Sequence, residues 1–175
     1  MQWRDLLLDG YGRIGEEMTR ILGGLEVDML DTMPSLDTNS IGWLAWHISR
    51  SQDAQVSALA GSEQLWITEG WHARFNRPKN AEDSGFGHTP ADVTTFRSPE
   101  PEVILSYYQA VALRTREYIL SLTEAEFSRE LDEPRFQPPP IVGVRIVSIM
   151  ADGLQHTGQM AYARGLLQGK GWQSY

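Results

Sequence analysis

The sequence predicts an all-α protein, a four-helix bundle with a long crossover excursion between its second and third long helices. Three observations predict it. Four long segments carry apolar residues at the three-and-four spacing of a helix with about 3.6 residues per turn. The stretch between the second and third lacks that period but is rich in aromatic residues. No alternating run has a second run to pair with, and long helices so connected assemble as a bundle.

The first helix spans Trp3 to Leu25, with Leu7, Ile14, Met18, Ile21 and Leu22 on its stripe and Gly23-Gly24 as its stop. It contains G-x-G-x-x-G at Gly10, Gly12 and Gly15. That pattern cradles a dinucleotide only after a buried strand and inside a βαβ unit. Neither is present, so a nucleotide site is set aside. Glu26 to Thr38 is a connection, and Asn39 or Ser40 caps the second helix.

The second helix runs from Ile41 to Ala60 and stops at Gly61. Ile41, Leu44, Ala45, Ile48, Gln52 and Leu59 form one face, while Trp43 and Trp46 lie on the other. A helix apolar on both sides is packed around most of its circumference. His47 falls between the faces and reads first as a core histidine bonded to backbone. Asp53 points away from it.

The excursion covers residues 62–98. Trp66, Trp71, Phe75 and Phe86 argue against disorder there, and a long ordered excursion in a small domain is usually functional. Short helical turns are expected around Glu63–Trp66 and Trp71–Phe75. A further helix starts where Thr89 caps and Pro90 takes the first position. The turn Gly85-Phe86-Gly87-His88 makes His88 a candidate substrate contact, with His72 on the same segment. Arg74, Arg77 and Arg97 are candidates to receive carboxylates.

The third long helix begins at Pro99 or Glu100 and reaches about Leu122. Thr123 to Glu126 reads as a capping box, and Pro138 to Pro140 as an extended piece. The fourth helix starts near Val144. On it Ile149, Gly153, His156, Met160, Ala163 and Leu167 share a stripe. Asp152 lies one turn before His156 on the same side, and Gln159 one turn after. An unpaired carboxylate beside an apolar face is costly, so Asp152 calls for His156, a metal ion or solvent.

The length of 175 residues favours a single domain, 1–175, with a substantial core. A net charge of -8 argues against nonspecific nucleic-acid binding. No apolar segment is long enough for a bilayer and the N-terminus lacks a leader pattern, so a cytoplasmic protein without a membrane partner is expected. There is no cysteine, which excludes disulfides, thiolate ligands and a cysteine nucleophile.

Helix bundles build metal sites from side chains on facing helices. His47 from the second helix with Asp152 and His156 from the fourth make a set of two histidines and one carboxylate. Three protein ligands leave positions open for water or substrate. The set suits Zn, Ni, Fe(II), Co or Mn. An Fe(II) oxygenase with a facial triad and a plain helical domain with structural polar pairs share these features. No HExxH, GxSxG or Walker A pattern occurs.

The strings GWLAWHISRSQD around His47, GFGHTP at His88 and DGLQHTGQMAYARGLL with Asp152 and His156 resemble the DinB-like superfamily. More narrowly they resemble its actinobacterial branch, related to mycothiol-dependent S-transferases and maleylpyruvate isomerases. The resemblance implies a four-helix bundle whose divalent metal, Zn, Ni or another, is held by His47, Asp152 and His156. It departs from the family pattern at Asp152, where His or Glu is usual. It implies an external, mycothiol-like thiol as co-substrate acting on a small electrophile, with Gln159 orienting a ligand from behind and a homodimer as the assembly. A non-catalytic, stress-related metal-binding protein is the alternative it implies.

Overall fold

A computed structural model describes residues 2–173. Four long helices dominate it: α1 (Trp3–Leu22), α3 (Ile41–Ala60), α7 (Pro101–Ser121) and α9 (Val142–Gln168). Shorter helices are α2 (Val27–Asp31), α4 (Leu65–Thr68), α5 (Trp71–Arg74), α6 (Pro90–Thr95) and α8 (Glu124–Phe127), and a 3-10 turn at Lys170–Trp172 follows α9. Among the described residues there is no strand, only one antiparallel bridge between Glu130 and Ile141. The all-α expectation therefore holds.

The long helices form a ring in which α1 and α3 each pack against both α7 and α9. Their inward stripes follow the helical period. Leu7, Tyr11, Ile14, Met18 and Ile21 are buried on α1, and Ile104, Tyr107, Val111, Thr115 and Ile119 on α7. The Gly-rich pattern lies within α1 and follows no strand. Gly10 sits against the Met150 sulfur, which a side chain there would displace, and Gly15 lies in ordinary contact with Tyr108.

Local signals set the ends. Ser40 accepts the Trp43 amide and caps α3, while Gly61 closes it in the left-handed conformation at φ 62°. Thr89 and Asp92 form a reciprocal box at the start of α6, with Pro90 in the first turn. Thr123 caps α8. Several elements differ from the sequence reading, α7 among them, which begins at Pro101 and not at Pro99 or Glu100. α1 stops at Leu22, where Arg164 donates to the carbonyls of Ile21 and Gly23 and satisfies the helix end. α2 forms within the expected connection, burying Leu30. α9 starts at Val142, two residues earlier than expected, because Val142 and Gly143 are buried there, Gly143 against Phe127.

Fourteen of the twenty residues of α3 are buried, because the 62–98 excursion covers the side that faces away from the ring. The excursion is pinned to α3 by two fully buried charges. Arg50 donates to the carbonyls of Ala81 and Asp83 and to the side chain of Gln64. Asp53 accepts from the Leu65 and Trp66 amides and from the Tyr107 hydroxyl. The bonds these buried charges need are thus met by the segment they hold and by Tyr107 of α7. No described helix is long and apolar enough to cross a membrane.

Candidate metal centre

The adjacency of α3 and α9 brings His47 against the Asp152–His156 pair. One donor atom from each of the three residues lies within 4.8 Å of the others. The His47 and His156 rings stand nearly perpendicular, at 81°, with centroids 4.9 Å apart. His47 is buried, whereas Asp152 is the most exposed of the three, with 39% of its side chain accessible. The cluster therefore opens to solvent on its α9 side.

Hydrogen bonds fix which ring nitrogens are available. The His47 Nδ1 lies 2.5 Å from the Ser84 carbonyl oxygen. A carbonyl only accepts, so Nδ1 carries the hydrogen and the lone pair is left on Nε2. The His156 Nδ1 likewise donates to Gln159 Oε1 at 2.8 Å. Its Nε2 then faces Asp152 Oδ1 at 3.3 Å. A lone pair and a carboxylate at that separation repel unless something positive stands between them. A shared proton or a metal ion meets that requirement, and a neighbouring second imidazole favours the metal. The donor set fits a borderline divalent cation, with both rings already held by outer partners.

The electrostatics agree. Burial pushes the His47 imidazole below its ordinary range, which keeps it neutral and able to donate its lone pair. The bond from His156 holds the Asp152 carboxyl below the usual carboxylate range, with help from Ser51 one turn after His47. The same carboxylate pushes His156 up.

The loop over His47 requires glycine at position 85. Gly85 has φ +86°, and a Cβ there would come within 2.9 Å of the His47 Nδ1 and of the Trp46 ring. His88, expected to contact substrate, has both nitrogens engaged inside the protein. Trp43 donates its indole N–H to Nδ1 at 3.1 Å, and Nε2–H reaches Asp83 at 3.0 Å. His88 thereby braces Trp43, which stacks on His47 at 5.0 Å. His72 lies against Trp66, away from the three donors. Sequence reasoning did not name Ser84 or Asp83. The Gly85-Phe86-Gly87 run beside them was the available signal, but a backbone carbonyl leaves no mark of its own in a sequence.

The chain matches the DinB superfamily model over residues 12–160. It is also similar to the solved structure of a conserved protein from Enterococcus faecalis, at 31% identity, 97% coverage of this chain and 99% of that chain, with a TM-score of 0.89. No curated protein matches the chain. The superfamily often binds a divalent metal. The match spans most of the chain, including the positions of His47, Asp152 and His156, and the chain belongs to the DinB superfamily.

Proposed function

We propose that the chain holds a divalent metal through His47, Asp152 and His156 and transfers an external low-molecular-weight thiol, of the mycothiol kind, to a small electrophile. The observation that carries this reading is the convergence of two imidazoles, each tied at Nδ1, on one carboxylate at the solvent-facing edge of α9. The strings around His47, His88 and His156 support the narrower affiliation with the thiol-dependent actinobacterial branch.

When bound, the metal supplies Lewis-acid charge that makes a neighbouring thiol more acidic. The chain's own residues prepare the place for it. Ser84 and Gln159 hold the two rings in one tautomer, so no reorientation is needed when a ligand arrives. With no cysteine in the chain, the sulfur nucleophile comes from outside. Its proton leaves to solvent, its sulfur bonds to the electrophilic carbon, and the displaced electron pair departs with the leaving group.

A cavity of about 430 Å³ lies beyond Gln159, bounded by Leu44, Gln159, Tyr162 and residues of the 34–39 loop. Gln159 belongs to both the cavity wall and the His156 hydrogen bond. The cavity pairs an apolar wall with the polar side chains of Ser35, Asp37, Thr38 and Asn39, which suits a hydroxyl- and amide-bearing thiol.

The test measures conjugation of a low-molecular-weight thiol to a fluorogenic alkyl halide by the metal-loaded protein. A rate that chelation abolishes and His156→Ala removes is expected. Equal rates with and without chelator, across a panel of thiols and electrophiles, would sink the transferase reading.

A further inference from the structure

The excursion carries a second cavity whose lining is chemically one-sided. Arg74, Arg77 and Arg97 border a space of about 380 Å³, together with Asn76, Thr95 and Ser98. No carboxylate lines it, although acids outnumber bases in the chain and its net charge is -8. None of the three metal-centre residues lines it either. Three guanidiniums gathered without lining acids in an acidic protein are not the background of a basic surface.

The three side chains are held in place. Arg77 pairs with Asp83 at 2.7 Å and lies over the rings of Trp46 and Phe96. Arg97 donates through one nitrogen to the carbonyls of Thr94 and Phe96. Arg74 stacks on Trp71, its guanidinium carbon 4.2 Å from the ring centroid. Asp83 pairs with Arg77, whose field also reaches Asp92, and Asp31 accepts the Ser98 amide at the cavity edge, whereas Arg74 and Arg97 make no ion pair among the described residues. Arg74 and Arg97 are exposed at the cavity, and an oxyanion there supplies acceptors for their guanidinium donors.

We infer that Arg74, Arg77 and Arg97 form a binding site for a small molecule carrying a phosphate dianion, separate from the metal centre. Guanidinium forks match the paired oxygens of a phosphate. The two arginines without an ion pair, Arg74 and Arg97, offer a dianion one positive charge each. The cavity is larger than one phosphate group requires, so the natural ligand is a phosphate monoester with a small polar body. Rings beneath Arg74 and Arg77 fix those guanidiniums before the ligand arrives and lower the ordering cost of binding. This site is independent of the transferase reading and stands with or without a bound metal.

The experiment is calorimetric titration of metal-free, full-length protein with inorganic phosphate at low ionic strength, repeated with phenyl phosphate. Saturable one-site binding is expected, weakening as salt rises. Arg74→Ala and Arg97→Ala should each reduce affinity by about tenfold, the loss of one charge-assisted contact. Arg135→Ala, at an exposed arginine remote from the cavity lining, and His156→Ala should bind as the parent does. If Arg97→Ala lowers stability through its lost carbonyl bonds, Arg74→Ala carries the test, since Arg74 makes no hydrogen bond among the described residues. Absence of saturable binding into the tens of millimolar would overturn the inference. So would equal affinity in the Arg74→Ala variant, or a loss confined to His156→Ala.

Discussion

The Nδ1–H of His47 donates to the carbonyl oxygen of Ser84 at 2.5 Å, and the next residue, Gly85, passes directly over the ring. One loop thus sets both the tautomer of His47 and its depth in the protein. Any side chain at position 85 would meet the imidazole and the Trp46 ring, at a left-handed φ that L residues seldom adopt. Gly85→Ala should therefore lift the loop, release the Ser84 contact and lower metal affinity by about tenfold or more. Far-ultraviolet dichroism should be unchanged, because the long helices do not depend on this turn. Parent-like affinity by competitive chelator titration would remove Ser84 from the orienting role.

On the other side of the centre, Gln159 Oε1 accepts from the His156 Nδ1–H. Gln159→Leu keeps the approximate volume and removes the acceptor. Metal affinity should fall by about 10- to 100-fold, as is usual when an outer partner of a ligating histidine is lost. Gln159→Glu keeps an acceptor and should retain binding. If the two variants are indistinguishable, the amide plays no part in orienting His156.

Metal affinity should depend on pH with a definite sign. Ligation needs the lone pair on each Nε2, so a proton on His156 competes with the metal. Asp152 pushes His156 up, while burial pushes His47 down. On acidification His156 is therefore the first to protonate, at a pH above the ordinary imidazole value of about 6.5. Affinity should be flat at higher pH and fall as pH drops through that range. A titration by fluorescence of a bound metal probe that shows no pH dependence would exclude imidazole ligation.

Removing the buried anchor of the excursion should cost stability without touching the proposed metal ligands. Asp53→Ala leaves Arg50 as an uncompensated buried charge and strips acceptors from the Leu65 and Trp66 amides. A loss of about 3–5 kcal/mol is expected in urea unfolding. Limited proteolysis should then cut within residues 62–98 before the long helices. Parent-like unfolding would show that the network is energetically neutral.

Much of the bundle was legible because helices are local objects. A 3.6-residue period placed all four long helices, and Ser40, Gly61, Thr89 and Thr123 marked ends through bonds to residues three or four away. The pairing of Asp152 with His156 is equally local, since one turn of α9 fixes it. The start of α2 escaped because five residues carry too little periodicity to register.

The sequence by itself therefore determined the helices, their caps, the absence of any cysteine and the carboxylate–imidazole pair on α9. Only the tertiary structure decided that His47 meets that pair, that His88 spends both nitrogens on Trp43 and Asp83, and that three arginines of the excursion share one cavity. The physical reason is one of range. Spacing along a helix follows from backbone geometry within a turn, whereas register between helices and the path of a 37-residue excursion, from 62 to 98, follow from burial and from long-range bonds such as those of Arg50 and Asp53.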